Sequence, residues 1–116
     1  METELTGTLS PFDLTQAARE FASEVGATAE RKKKPISSPG GLRTFFLYVR
    51  AAGYVPPHQV SGPITVQTIL GAARLSAEGK DHELPAGSVV FFPAGVLHDV
   101  SASDESVLLI TQASQD

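Results

Sequence analysis

The spacing of hydrophobic and polar positions changes once along this chain. Leu14, Ala17, Ala18, Phe21 and Val25 recur at helical spacing among polar neighbours, which makes one apolar stripe. Asp13 stands at an N-cap position, Gln16 follows three residues later as in a capping box, and Gly26 is placed to end the element. A helix is therefore predicted over Leu14 to Val25. From Leu42 onward the texture is that of strands. The segments "LRTFFLYVRA", "ITVQTILG", "AARLSA", "SVVFF", "HDVSA" and "VLLITQA" are short, rich in β-branched and aromatic residues, and separated by Gly, Pro or Asp turns. Pro56, Pro57, Pro63, Pro85 and Pro93 are expected at strand ends, where a missing N–H does least harm. No βαβ alternation and no internal repeat interrupt this pattern, so the chain reads as an all-β sandwich or small barrel with one N-terminal α-helix.

Between helix and strands lies "AERKKKPISSPGGL". Its basic run, Arg31 to Lys34, is short and has no aromatic residues interleaved. It is read as a solvated face or a lysine-guarded sheet edge rather than a phosphate site.

Length and composition narrow the function classes. One chain of 116 residues is a single domain, with 1–30 as an arm and helix attached to a barrel of 31–116. No cysteine is present, which removes disulfides, cysteine-ligated zinc and thiol chemistry. A formal net charge of −4 argues against nucleic acid as a partner. No apolar run approaches the roughly eighteen residues of a membrane helix, and "METELTGTLSPFD" is no signal region. A cytoplasmic protein with no membrane partner is the expectation.

Candidate chemistry begins with "GSVVFFPAGVLH", which reads G-x5-P-x-G-x2-H from Gly87 through Pro93 and Gly95 to His98. The three non-histidine positions alone should coincide in roughly one such chain in forty. This stretch resembles the second motif of the cupin superfamily. The first cupin motif, G-x5-H-x-H-x3/4-E-x6-G, can be laid back from Gly71. It then places its first histidine at His58, its second at Val60, its glutamate at Ile64 and its opening glycine at Ala52, next to Gly53. The asparagine that often follows the second-motif histidine is Ala102 here. The resemblance covers about Leu42 to Thr111 and implies a cupin-type double-stranded β-helix, the RmlC-like jelly roll. The strands look like those of small single-domain bacterial cupins, for which the resemblance supplies a fold and no settled reaction.

Cupins that hold iron, manganese, nickel or zinc usually use three histidines and a carboxylate facing the lumen. Only His58 and His98 stand at such positions here, while Val60 and Ile64 cannot ligate a metal. Gln67 is a candidate third ligand only if a bulge near Gly62 and Pro63 reverses its parity, because simple alternation puts it opposite Ile64 and Val66. His82 is expected at a turn end outside the site. The ligand pocket is accordingly predicted from His58, Val60, Ile64, Val66 and His98. Phe45, Phe46, Tyr48, Phe91 and Phe92 are available as aromatic walls on one sheet face or the other.

The first expectation is a cupin that binds a small organic molecule in its lumen, with or without a weakly held divalent metal (zinc, iron, manganese or nickel). The alternatives are a metal-dependent oxygenase, isomerase or lyase with an unrecognised third ligand, and a non-enzymatic sensor module. A homodimer is also expected, with residues near 30 to 50 in its interface.

Overall fold

The computed structural model of the chain describes residues 11–26, 28–36 and 40–113. The helix α1 (Leu14–Val25) forms as its apolar stripe dictates. The Asp13 side chain accepts the Gln16 N–H at 3.0 Å, and Gly26 closes the last turn on the Ala22 carbonyl. Ala18, Phe21 and Val25 are its buried residues.

The strands are β1 (Arg31–Ile36), β2 (Leu42–Val49), β3 (Tyr54–His58), β4 (Ile64–Leu70), β5 (Ala72–Ala77), β6 (Lys80–Pro85), β7 (Val89–Phe92), β8 (His98–Ala102) and β9 (Ser106–Ala113). They make a five-stranded sheet in the order β1-β2-β9-β4-β7 and a four-stranded sheet in the order β3-β8-β5-β6, with every pairing antiparallel. This is the two-sheet jelly roll expected from the sequence, and its closed core holds alternate residues of both sheets.

The long sheet has two buried faces. Its inner face contributes Phe45, Leu47, Val66, Leu108 and Ile110 to the core shared with Leu75, Leu84 and Val100 of the short sheet. Its outer face contributes Phe46, Tyr48 and Val107 to a second cluster under α1. The helix thus packs on the outside of the sandwich. Tyr48 fixes it there, because its hydroxyl lies 3.0 Å from the Gly26 carbonyl and 2.6 Å from the Glu105 carboxylate. Burial and the Glu105 carboxylate push this phenol up to about 12, so it stays neutral.

The basic run forms β1, an edge strand paired in register with β2, in keeping with its reading as a lysine-guarded sheet edge. One expectation about strands needs correction. Pro56 and Pro57 lie inside β3 rather than at its end. They are accommodated because β3 is also an edge and its register shifts between Val55 and His58, so no ladder N–H is required of them. The position of the absent opening glycine is informative as well. Ala52 adopts φ +64, the left-handed conformation that a glycine there would reach without steric cost.

Candidate functional site

The turn from Pro93 to Leu97 exists to reverse the chain between the two sheets. The Gly95 N–H donates to the Val60 carbonyl at 2.9 Å, which ties this turn to the loop before β4. β8 then starts at His98, directly opposite His58 at the end of β3. Register alone therefore brings together two histidines forty positions apart in the sequence. Their ring centroids are 4.2 Å apart, with an interplanar angle of 55°. Phe92 packs edge-on against His98 at 4.8 Å.

Each imidazole is oriented in the same way. His58 Nδ1 lies 3.1 Å from the Pro56 carbonyl and His98 Nδ1 lies 2.9 Å from the Val96 carbonyl. A carbonyl oxygen only accepts, so in the neutral rings Nδ1 carries the proton and Nε2 keeps its lone pair. The pair thus offers two basic nitrogens that can accept hydrogen bonds from a ligand or take a proton from it.

Their environments differ. His98 is 3% exposed, whereas His58 lies on the accessible rim. Burial holds His98 below the ordinary imidazole value of 6.5. The neighbouring His58 adds to this, while the Val96 carbonyl and Asp99 act in the opposite sense. A folded-state value below the unfolded one means that, as pH falls through 6.5, the unfolded chain takes up a proton before the native state does. Stability should therefore fall as pH drops through about 6.5, and level off once His98 itself is charged. Urea denaturation of wild type and His98→Asn across this range checks the sign, since the substitution should flatten that part of the profile.

The histidines border a cavity of about 630 Å³ between the sheets, a volume ordinary for a small-molecule site. All five residues of the predicted pocket line it: His58, Val60, Ile64, Val66 and His98. Its apolar wall is completed by Phe45, Leu47, Val100 and Ile110. Of the five aromatic side chains, Phe45 reaches the cavity, Phe46 and Tyr48 lie under the helix, Phe92 packs on His98, and Phe91 is 72% exposed.

Gln67 is a correction. The register shift in β4 falls between Thr68 and Leu70, beyond Gln67, so its parity is not reversed and it does not line the cavity. His82 sits exposed on β6, also away from the cavity. Among the described residues no group of three or more His, Asp or Glu could hold a metal ion. Two imidazoles fall short of the three protein ligands usual for a catalytic metal, so the donor set does not fit the metal centre of the better-equipped cupins.

Sequence reasoning missed the polar part of this cavity. Arg31, Lys32, Lys33, Arg43 and Gln112 also line it. No local signal gave the face of the basic run, because four successive charges show no alternation; the register with β2 assigns it. Arg31, Lys33 and Pro35 pair with Val49, Leu47 and Phe45, which puts them on the inner face. Lys34, on the other face, instead makes a 3.3 Å ion pair with Glu24 of the helix.

Comparison with known proteins agrees with this architecture. A cupin superfamily protein from Desulfitobacterium hafniense superposes with a TM-score of 0.74 at 14% identity, covering 96% of this chain and 95% of that one. A conserved Streptococcus pyogenes protein of unknown function gives 0.72 at 14% identity, covering 100% and 96%. KdgF from Halomonas gives 0.68 at 18% identity, covering 75% and 82%. No curated protein sequence matches significantly. At these identities the superpositions establish the shared fold. The family model described as the AraC-like ligand-binding domain matches residues 39–110, which hold β2 to β8, the first part of β9 and both cavity histidines, and the chain therefore belongs to that family of cupins.

Proposed function

We propose that this domain binds a small organic molecule in the cavity between its sheets, with His58 and His98 gripping a polar group of the ligand. The observation that carries this reading is the pair of imidazoles, 4.2 Å apart, on the wall of a mostly apolar cavity of about 630 Å³. Apolar walls with a few convergent polar groups are the usual design of a small-molecule site. The family's description as ligand-binding supports the same reading, and favours a binding or sensing role over turnover.

Among the described residues the cavity supplies two imidazoles and no carboxylate, a poor donor set for a tightly held metal. Loading untagged protein with zinc, iron, manganese or nickel should leave it substoichiometric after dialysis. A full equivalent that disappears in His58→Ala and His98→Ala would favour the metal-dependent alternative.

Three histidines make the direct test simple. Imidazole ¹⁵N signals are followed while a panel of small aromatic acids, amides and alcohols is titrated in. The signals of His58 and His98 should move and that of exposed His82 should not. His98→Ala should weaken binding by about tenfold or more, the usual effect of losing a buried hydrogen-bonding partner. Binding that survives both His58→Ala and His98→Ala would remove the histidines from the site.

A further inference from the structure

The cavity's charge is opposite to that of the protein. The chain carries thirteen acidic and nine basic side chains, for a formal net charge of −4. Yet four of the basic residues line the cavity, and among the described residues no aspartate or glutamate does. Three of these side chains have a definite setting, whereas Lys32 pairs with Tyr48 and so shares the outer parity. Arg31 donates to the Tyr54 carbonyl at 2.9 Å, linking edge strands β1 and β3 across the opening between the sheets. Lys33 Nζ lies 5.0 Å from the centroid of the Phe45 ring, and the Arg43 guanidinium carbon lies 5.4 Å from the same ring.

Edge protection explains only part of this arrangement. Lysines on β1 would deter pairing with another chain wherever they pointed. Arg43, however, is on β2, where it pairs with Gln112 of β9 and shares the inward parity of Phe45, so its side chain is aimed at the cavity rather than along the β1 edge. Salt bridging does not account for it either. Lys34 and Arg74 find carboxylates on the outer surface, whereas among the described residues no carboxylate lies within ion-pairing distance of Lys33 or Arg43. Uncompensated cations converging on an apolar cavity make a site of positive potential, which favours an anionic occupant. The cavity-facing parity of Arg31 and Lys33 places this charge on the inner side of the sheet.

We infer that the ligand is an organic anion. Its oxyanion head, a carboxylate or a phosphate, is held by Arg31, Lys33 and Arg43, and its apolar body lies along Phe45, Leu47 and Ile110. The guanidinium groups suit this role because their planar array of N–H donors matches both kinds of oxyanion. The inference rests on the luminal-binding reading above and names the ligand class for that same cavity.

The test uses three probes of similar size on the whole protein: phenylacetate, phenyl phosphate and the neutral phenylacetamide. Affinities are read from the His58 and His98 ¹⁵N signals at low and at high salt. One of the two anions should bind at least about tenfold more tightly than the amide, with added salt eroding that preference. The tighter of the two identifies the head group. K33Q/R43Q should remove most of the anions' preference over the amide. Lys80→Gln, at the start of β6 and outside the cavity lining, should keep the full preference. Both Lys33 and Arg43 are exposed, and an unchanged melting temperature confirms that the double variant folds. If the amide binds as tightly as the anions, or if K33Q/R43Q keeps the full preference, the anion inference fails and luminal binding stands. If no probe moves the His58 and His98 signals, both fail together.

Discussion

Gly71→Ala should destabilise this protein by about 3 kcal/mol or more, a large share of a small domain's stability. Gly71 turns the chain from β4 of one sheet into β5 of the other, at φ +86. A methyl group there would collide with the Glu105 carbonyl oxygen, lie 2.5 Å from Ser106 Oγ, and lie 2.9 Å from Ser106 Cα. These atoms cannot yield easily. Ser106 is fully buried, and its hydroxyl accepts the Ala72 N–H at 3.1 Å while lying 2.8 Å from the Asp104 carbonyl. The β4–β5 corner and the start of β9 are therefore packed backbone to backbone.

Gly79→Ala separates the two contributions to that cost. Gly79 has φ +76, but an added Cβ would meet nothing within 4 Å. It should lose only the backbone term, about 1 kcal/mol. Denaturant midpoints of the two variants, compared at equal slope, measure the difference. Equal losses would mean that the corner relaxes and that the close approach is not rigid.

Phe46→Ala should cost about 4 kcal/mol, within the range for deleting a buried phenylalanine side chain. Phe46 is 1% exposed and is the centre of the joint between helix and sheet. Its ring lies 6.1 Å from that of Phe21, nearly parallel, and 6.3 Å from that of Phe12. Removing it leaves the apolar stripe of α1 with a void beneath it. Phe45→Ala should cost less, because its ring already borders an open cavity, and should show its main effect in the affinity for aromatic probes. Far-UV circular dichroism through the melt should register early helix loss for Phe46→Ala alone. The reverse ranking would contradict the face assignment of β2.

These two neighbouring phenylalanines mark the limit of what the chain discloses before it folds. A run such as "TFFLYV" announces a strand, but its apolar residues are continuous, so alternation cannot say which face each one takes. Only the helix packed on the outer side makes both faces buried. The inward-facing members of the basic run were hidden for a related reason. With charge at four successive positions, "RKKK" hides its period of two, and pairing with β2 is what sends Arg31 and Lys33 inward and Lys34 to Glu24. No local pattern connects that run to Arg43, because their approach depends on the register between two strands.

The sequence by itself determined α1, since capping, helical spacing and a terminating Gly26 are local interactions completed within a few residues. It also determined the corners of the jelly roll, where Gly71, Gly87, Pro93 and Gly95 impose backbone conformations that other residues reach only at a cost. The resemblance carried by those corners was enough to place His58 and His98 on one fold. Their meeting at 4.2 Å was decided by tertiary structure, because it requires β3 and β8, whose facing histidines stand forty positions apart, to pair across the fold. The same holds for the cavity's charge. An ensemble of basic side chains becomes a site only when sheet pairing aligns them on one inner face, and that alignment is a property of long-range register rather than of any segment.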